Sequence, residues 1–577
     1  MTTVSRSLLV LLLSSAAAVH AALPTPDADN GGLTLPPGFH ALVAADNLVA
    51  GRKIEKNWDN LRFITVAPNG DLYAKTLWGG ILALRDTDGD GRFDEKQEFG
   101  SGGGTGIALH DGWLYASTNS SVYRYKYTPG ELVPAGEPQV IVSGLPDEHN
   151  THNAKAFAFD GQGRLLVEVG SPYNVYSDGD RALGAKGKDP AQFQKTHGGF
   201  WRFDADKPNQ TLADGYHFST GHRHAIALAW NPASRAFFMA QMGRDQLDAV
   251  DPVHYTAADN AERISEEFHL LREGADFGWP FTYYDPLRKA RMIAPEFGGN
   301  NQKTAEPGKY PAPLIAFPAH WAPLQMTLYT GTQFPAQYRG GMFIAFHGSW
   351  NRSPQPQEGY NVCFVPFDSK GMPVGTYQVF ARGFPGKEVF TAVRDARYRP
   401  GGVAVGPDGS LYIAETNKGR IWRVIYTGET TPAVASATVA PANTPANTPA
   451  TPATPPAPVV KTPQPPVVTN QRGKELYGQM CATCHMADGS GVGNLQPALL
   501  DSAVVKGDRA QLIRVILKGP AAVLPADRPK YSNVMAAFGF LEDRQIADVA
   551  TYIRQAFGDG ASAIEPADIA AERKAQP

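Results

Sequence analysis

Apolar and polar positions alternate along most of the chain in one phrase that returns several times. The phrase consists of a short alternating strand, a turn containing Gly, Asp, Asn or Pro, and a second alternating strand. Five copies are FITVAPNGDLYAKT, GIALHDGWLYAST, AFAFDGQGRLLVEVG, AIALAWNPASRAFFMAQ and GVAVGPDGSLYIAET, and RGGMFIAFHGSW followed by YNVCFVPF is a degenerate sixth. Strand pairs that recur at about forty residues or more indicate a β-propeller, and these phrases predict six blades over residues 30–427. A β-sandwich, the alternative, does not require such recurrence.

The pattern changes after residue 427. Residues 428–468 are dominated by Pro, Ala and Thr, with almost no charged or aromatic residue. Such a stretch cannot bury a core, and its proline content predicts an extended, semi-rigid linker. In residues 469–560 helical spacing takes over, most clearly where Ile546, Val549, Ala550 and Ile553 repeat on one face of a closing helix. The sequence therefore predicts an all-β six-bladed propeller followed by a small all-α domain.

A motif for c-type haem lies near the start of the all-α domain. In CATCH, Cys481 and Cys484 are spaced so that both thiols can reach the haem vinyl groups, and His485 follows with an imidazole for the iron. A chance match or a redox-active CxxC pair is the alternative, but the flanking helices favour haem. The motif and the helices around it resemble a class I cytochrome c domain, over about the last hundred residues. We expect haem c at Cys481 and Cys484, with His485 as its proximal ligand.

The second axial ligand of this haem is expected to be a thioether, which raises the potential of cytochromes c. Met480, Met486 and Met535 are the candidates. The first two flank the attachment motif and are too close to it in sequence to reach the opposite face of the haem. Met535 matches the methionine of the family's MPAFG segment, with Ala536 in place of the proline, so the resemblance implies Met535. It also implies that the carbonyl of Pro497 accepts a hydrogen bond from the proximal imidazole.

Charge and segment composition restrict where the protein works and what it binds. The formal net charge of −3 disfavours nucleic acid as a partner. Residues 1–21 combine Arg6, an apolar run and terminal small residues, so they predict a cleaved signal peptide. No other segment is apolar for long enough to predict a transmembrane helix. Covalent haem attachment outside the cytoplasm agrees with export, and we expect the protein in the periplasm. The remaining cysteine, Cys363, is expected at a buried strand position.

Imidazole and guanidinium side chains gather at matching positions of successive blades. The clusters are HNTHNAK, which ends at Lys155; GHRHAIALAW with QMGRD after it; and RYRPGG with AFHGSWNR ahead of it. A single loop His or Arg is usually a hydrogen-bonded or surface group. Recurrence at the same place in the phrase instead predicts a site at the propeller axis, where the innermost strands converge.

The propeller resembles the soluble quinoprotein glucose and sorbosone (pyranose) dehydrogenases, which carry pyrroloquinoline quinone (PQQ) and calcium. GHRHAIALAW, GADFGWP and HGSWNR, in this order along the chain, carry the resemblance. It implies that His152 is the general base that takes the substrate hydroxyl proton, with His149 as the rival, and an imidazole suits that role. Arg223 is implied to act beside the oxygens of the cofactor, next to His224, where the family motif often has Asn.

The same resemblance implies residues that hold the cofactor and its metal. The backbone carbonyls of Gly243 and Arg244 match a loop that binds calcium, which requires hard oxygen donors. Arg399 and Arg397 match a cationic clamp on the cofactor carboxylates, for which the guanidinium fork is suited. Further candidates for holding the cofactor are His347, Arg352 and Lys155.

A separate acidic loop, DTDGDGRFD, lies in the first blade. Asp86, Asp88, Asp90 and Asp94 are spaced as the carboxylates of an EF-hand-type loop, but the twelfth place holds Gln97 instead of the usual bidentate Glu. This spacing predicts a structural calcium ion, with a solvated acidic turn as the alternative.

Together these features predict a periplasmic dehydrogenase that oxidises a sugar or aldehyde at the PQQ of the propeller. Electrons are expected to pass to the tethered haem and then to a periplasmic acceptor or the respiratory chain. One alternative is oxidation of a non-sugar alcohol or aldehyde. Another is a propeller that binds carbohydrate or a partner protein, with the cytochrome as an electron carrier.

Overall fold

The computed structural model describes two parts of the chain. These are residues 23–55, 57–147 and 152–428, and, in the C-terminal part, residues 470–481, 485, 489, 491, 497–500, 502–525, 528, 535, 537–539, 541–558 and 562–575. The predicted signal peptide, almost all of the predicted linker, His149 and Cys484 lie outside these ranges. Among the helices of the described ranges, none has the length and apolar character needed to cross a membrane.

Residues 23–428, where described, form a six-bladed β-propeller, as the repeated phrase predicts. Each blade is an antiparallel sheet of four strands, extended in the second blade by a short fifth strand. The innermost strands of consecutive blades lie next to each other, and the last contacts the first, so the ring closes. In order around the axis these strands are Leu61–Val66, Ile107–His110, Phe157–Phe159, Ala227–Asn231, Pro323–Leu328 and Pro400–Val405.

The outer strands follow in order from the axis to the rim. Blades 1 to 3 continue with Leu72–Thr76, Ile81–Arg85 and Glu95–Phe99; with Trp113–Ser117, Val122–Lys126 and Gln139–Ser143; and with Arg164–Val169, Gly199–Asp204 and Tyr216–Thr220. Blades 4 to 6 continue with Ala236–Gln241, Glu266–Leu270 and Ile315–Phe317; with Met342–Phe346, Asn361–Val365 and Gln378–Ala381; and with Leu411–Glu415, Ile421–Tyr426 and Phe39–Ala45. Shorter elements are the fifth strand Gln210–Thr211, the hairpins Lys53–Ile54 with Asn57–Trp58 and Thr282–Asp285 with Ala290–Ile293, and the helices Leu247–Val250 and Ala257–Glu262.

The sixth blade is completed by a strand from the other end of the propeller sequence. Phe39–Ala45 pairs antiparallel with Ile421–Tyr426, so that Phe39 faces Tyr426 and Val43 faces Trp422. The ring of Phe39 packs edge-on against Phe334, between this blade and the fifth. This pairing joins the two ends of the propeller sequence in a single sheet.

Apolar side chains fill the spaces between neighbouring blades, as the alternation predicts. Cys363 is fully buried in the fifth blade, in agreement with its expected strand position. One group of buried polar side chains lies at the end of the axis where the innermost strands begin and the second strands end. In every blade a polar residue lies at or next to the end of the second strand, and so at this end of the axis: Lys75, Ser117, Glu168, Gln241, His347 and Glu415.

The C-terminal part is helical. Its helices are Gln471–Met480, Ala503–Lys506, Arg509–Lys518, Asp543–Phe557 and Pro566–Lys574 in the described residues. The first helix packs on the predicted closing helix, with the Tyr477 ring 5.2 Å from that of Tyr552 and 5.1 Å from that of Phe557. The last helix lies beyond the predicted boundary at residue 560. Ile569 on that helix is fully buried, so the core of the domain extends further along the chain than its apolar spacing indicated.

Candidate active site and haem site

His152 lies just ahead of the innermost strand of blade 3, in the left-handed backbone region with φ of 56°. Its Nδ1 is 2.5 Å from the carbonyl oxygen of Ser171. Because a carbonyl only accepts, Nδ1 carries the proton and Nε2 is the basic nitrogen. Burial, together with the positive charge of Arg223 and the neighbouring His224, holds the pKa of His152 well below its usual value. The side chain is therefore a neutral imidazole with one free basic nitrogen.

Arg223, the second predicted catalytic residue, is held by a buried carboxylate. Its Nη2 donates to Oδ2 of Asp245 at 2.5 Å, and the same oxygen accepts from Arg181 at 3.0 Å. Oδ1 of Asp245 accepts from Asn351 of blade 5 at 2.5 Å. Burial works against ionisation of Asp245, but Arg223 and Arg181 hold its pKa below the usual range. Asp245 therefore joins loops of three blades around one guanidinium.

A second cationic group lies where blades 6 and 1 meet. Arg399 is half-buried and donates from Nε to the carbonyl of His347 at 3.2 Å and from Nη2 to that of Gly348 at 2.7 Å. Arg62 donates from Nε to Oγ1 of Thr105 at 3.2 Å. Burial and the nearby charge of Arg399 lower the pKa of Arg62 to about 10. Two neighbouring guanidinium groups with carbonyl and hydroxyl partners form a place suited to a bound anion.

His347, predicted to hold the cofactor, belongs to this second group. Its Nε2 is 2.8 Å from Oγ1 of Thr416. Burial and the charges of Arg399 and Arg62 hold the pKa of His347 well below its usual value. Like His152, it is a neutral imidazole in a positively charged setting.

The side chains of Arg244 and Arg352 are engaged away from these groups. Arg244 is buried and donates to Oε2 of Glu296 at 2.6 Å. Arg352 is buried as well, and it donates to the carbonyl of Ala261 at 2.8 Å and to Glu262. Both guanidinium groups therefore connect loops of the propeller. The side chain of Arg352 has a structural role in this arrangement. For Arg244, only the backbone carbonyl is available to bind a metal.

Three other predicted residues have different surroundings. Arg397 is exposed and lies over the ring of Tyr398 at 5.1 Å, in contrast to half-buried Arg399. Lys155 is buried, and its Nζ donates to the carbonyl of Asn153 at 2.7 Å. The amide of Gly243 donates to Oε2 of Glu266 at 2.7 Å, which fixes the loop predicted to bind calcium.

Sequence reasoning missed several charged residues of the axial end. Arg62, Lys75, Glu168, Asp245 and Glu266 are among them. Lys75 is fully buried with its Nζ 2.7 Å from the carbonyl of Gly102, and burial lowers its pKa to about 8. A charged residue at the end of an otherwise apolar strand phrase, as in LYAKT or LLVEV, is the signal that could have found two of them.

The acidic loop of blade 1 brings three of its four predicted ligands together. Oxygen atoms of Asp86, Asp88 and Asp90 lie within 4.8 Å of one another. The carboxylate of Asp94 instead accepts a hydrogen bond from the amide of Thr87 at 2.9 Å. The calcium ion at this loop stays a prediction, with a ligand group of three carboxylates instead of four.

The haem motif is described at Cys481 and His485. Nδ1 of His485 is 2.9 Å from the carbonyl oxygen of Pro497, so the bond implied for the proximal imidazole is present. That bond leaves Nε2 as the nitrogen available to iron. Met535 is half-buried and packs against the helical core, while Cys484 lies outside the described residues.

Replacing Met535 with alanine is expected to change the haem absorption spectrum and to lower the haem potential, because the iron loses a thioether ligand. The measurement is a spectrum of the haem-loaded protein followed by a redox titration. Met480→Ala is the matched control and should leave both unchanged. An unaltered spectrum in Met535→Ala would assign the axial position to Met480 or Met486.

Comparisons with known proteins agree with this architecture. Residues 34–427 match the TrAA12-like family, and residues 470–557 match cytochrome c. The calcium structure of the Trichoderma reesei family AA12 enzyme superposes with a TM-score of 0.54 at 18% identity, over 68% of this chain and 97% of that one. The holo form of the PQQ domain of Coprinopsis cinerea pyranose dehydrogenase gives a TM-score of 0.52 at 16% identity, over the same shares of the two chains.

The fold therefore defines a two-part protein, a six-bladed propeller followed by a helical cytochrome c domain. The chain belongs to the TrAA12-like family, that of the PQQ-dependent pyranose dehydrogenases, and carries a cytochrome c domain that implies haem c. The resemblance predicted from the sequence is thereby confirmed. An uncharacterized protein of Borreliella burgdorferi is 27% identical over 208 residues, which are 36% of this chain and 48% of that protein. The chain thus spans about half the length of this relative.

Proposed function

We propose that the protein is a periplasmic PQQ-dependent dehydrogenase that oxidises a sugar and delivers the electrons to its own haem c. One observation carries the proposal. A neutral base, His152, lies at the same end of the propeller axis as buried Arg223 and half-buried Arg62 and Arg399. A base near an anion-binding set is what oxidation of an alcohol by an anionic quinone requires.

The residues present fit PQQ, which carries several carboxylates. Nε of Arg223 is buried and has no hydrogen-bond partner in the described residues. Burial lowers the pKa of Arg223 and of Arg399, as expected for guanidinium groups that lack a full complement of acidic partners. Arg62 and Arg399 also face each other with like charge. A bound polycarboxylate would supply the missing acceptors and offset these positive charges.

The chain's own residues then perform the proton transfer and the positioning. Nε2 of His152 takes the proton of the substrate hydroxyl, while Nδ1 stays bonded to Ser171 and fixes the ring. Arg223 is held in place by Asp245 and presents its free Nε–H as a donor. A bound quinone supplies the acceptor for the two electrons and the hydrogen that leave the substrate carbon as hydride.

The calcium ion of the proposal would be held by backbone oxygens of the Gly243 loop. The amide of Gly243 is bonded to Glu266, whose carboxyl also accepts from the amide of Ala322 at 2.9 Å. Burial raises the pKa of Glu266 to about 8, so this carboxyl adds little negative charge at neutral pH. Neutral carbonyls would therefore be the main ligands, and a hard cation such as Ca²⁺ accepts them.

A single experiment tests the proposal. The haem-loaded protein is reconstituted with PQQ and calcium, and the haem absorption bands are followed anaerobically while sugars and aldehydes are added. We expect haem reduction with a sugar only when PQQ is present. Reduction of an artificial dye without haem reduction would reject the internal electron path. No reduction of either, together with no PQQ binding, would favour the carbohydrate-binding or partner-binding alternative.

A further inference from the structure

A second histidine lies against the base. The ring of His224 stacks on that of His152, with centroids 4.6 Å apart and planes inclined by 27°. His224 is buried, and its Nδ1 is 3.2 Å from Oε1 of Glu168, so it donates to that carboxylate. The same oxygen accepts from the amide of Ala225 at 3.1 Å. A chain of three side chains therefore leads from the base to a buried carboxylate.

Glu168 is in an unusual position for a carboxylate. It is 0% exposed, at the end of the second strand of blade 3. Its Oε2 is buried without a hydrogen-bond partner in the described part of the chain. Burying a carboxylate with half of its capacity unsatisfied costs free energy that a purely structural role does not require. The position is therefore better explained by an electrostatic role.

The backbone also leaves room for this group of side chains. Gly170 lies between them, and a Cβ atom there would be 2.8 Å from the carbonyl oxygen of His152, 2.9 Å from Oε1 of Glu168 and 2.9 Å from Nδ1 of His224. Only glycine lets all three approach this closely. The glycine thus allows the backbone of His152 to lie close to the Glu168 and His224 side chains.

Besides burial, three neighbouring groups lower the pKa of His152: Arg223, His224 and Arg181. When Nε2 accepts a proton, a new positive charge forms among these groups. A negative charge within reach is needed to stabilise that product, and Glu168 is the buried carboxylate connected to the ring stack.

We infer that Glu168 and His224 form a positioning pair for His152: His224 supports the ring, and Glu168 offsets the charge formed when the base takes the hydroxyl proton. In that step the O–H bond of the substrate breaks and an N–H bond forms at Nε2 of His152, while the other proton stays on Nδ1 and is donated to the carbonyl oxygen of Ser171. The pair acts through His152 and does not touch the substrate. The inference rests on the proposed function for its catalytic meaning, but the pairing itself can be tested without activity.

The test compares Glu168→Gln with Glu267→Gln. Glu267 is also buried and accepts from a histidine, His269, at 2.8 Å, but it belongs to blade 4 and its histidine is not the one that stacks on His152. The first readout is the pH midpoint of C2-hydrogen exchange at His152, measured by mass spectrometry on the full chain without PQQ. Loss of the Glu168 charge should move this midpoint down by about one pH unit, and the control should not move it.

A second variant keeps the test decisive if Glu168→Gln does not fold. His224→Gln removes the stacked imidazole but can still donate to Glu168, so the midpoint at His152 should move up. In the active protein, the acid limb of the pH profile of kcat/KM should shift in the same direction as the midpoint for each variant. For Glu168→Gln turnover should also fall several-fold, because a weaker base accepts the proton less readily.

Unchanged midpoints in both variants, or an equal shift in Glu267→Gln, would overturn the inference. If the wild-type protein oxidises no sugar in the presence of PQQ, the proposed function fails. The midpoints would still decide whether Glu168 and His224 control the ionisation of His152. The two failures can therefore be distinguished.

Discussion

Turnover should fall by a factor of about a hundred or more in His152→Gln, while PQQ still binds. The physical reason is the loss of the basic Nε2, since a glutamine amide at this place accepts a proton poorly. Binding should persist because the carboxylates of PQQ are expected to meet Arg62, Arg223 and Arg399 instead of the imidazole. Steady-state kinetics with a dye acceptor give turnover, and equilibrium titration gives the affinity for PQQ.

A matched control for this variant is His217→Gln. His217 lies in the outermost strand of the same blade and stacks on Trp201, with ring centroids 4.3 Å apart. Burial lowers its pKa as it does for His152, but the ring is not at the axial end. The control should retain turnover. Equal turnover in wild type and His152→Gln would remove His152 from the mechanism and leave His149 as the rival base.

Arg62→Gln should weaken PQQ binding by about ten- to a hundred-fold, the usual worth of a hydrogen bond to a charged group. At the same time the melting temperature of the PQQ-free protein should not fall. Arg62 and Arg399 are half-buried and carry like charges, so removal of one charge relieves repulsion in the protein without PQQ. Calorimetric titration and thermal unfolding measure the two effects. A structural arginine would show the opposite result, a lower melting temperature with unchanged affinity.

Arg397→Gln is the companion variant. Arg397 was expected from the sequence to clamp the cofactor with Arg399, but it is exposed over Tyr398. If Arg62, Arg223 and Arg399 hold PQQ without Arg397, Arg397→Gln binds PQQ as tightly as the wild type does. If Arg397→Gln weakens PQQ binding as much as Arg62→Gln does, Arg397 also contributes to binding the cofactor.

The fold was predictable because the sequence of each blade contains, within a short stretch, the pattern that specifies its strands and turn. Alternation with a period of two, interrupted by turn residues, is visible within one phrase such as GVAVGPDGSLYIAET, and it needs no long-range information. The pairing of Phe39–Ala45 with Ile421–Tyr426 was not predictable, since its two strands are far apart in sequence and FHALVAA does not specify a partner. The helix Pro566–Lys574 was missed because its residues show little apolar periodicity.

For the candidate site, the residues that lie near the axis were easier to predict than the partners that their side chains bind. His152, Arg223, His347 and Arg399 are at the axial end, where the clusters placed them. Arg352 belongs to the same sequence cluster as His347, but its guanidinium is taken by backbone carbonyls and Glu262. Sequence spacing fixes where a backbone position lies in a blade. Which partner a long side chain reaches depends on loops from other blades, and no pattern encodes those.

The strand that completes the sixth blade has a consequence for the order in which the molecule is assembled. Blades 1 to 5 can each form their own sheet during synthesis of the chain. The ring cannot close through the sixth blade until Ile421–Tyr426 has been synthesised and can pair with Phe39–Ala45. Arg62 belongs to the first blade and Arg399 to the start of the last blade. The two guanidinium groups therefore lie on opposite sides of the boundary between these two blades. The two guanidinium groups can therefore come together only when the first and the last blade lie side by side. A polycarboxylate bound between them would hold the first and the last blade together, in addition to the strand pairing, and would stabilise the closed ring.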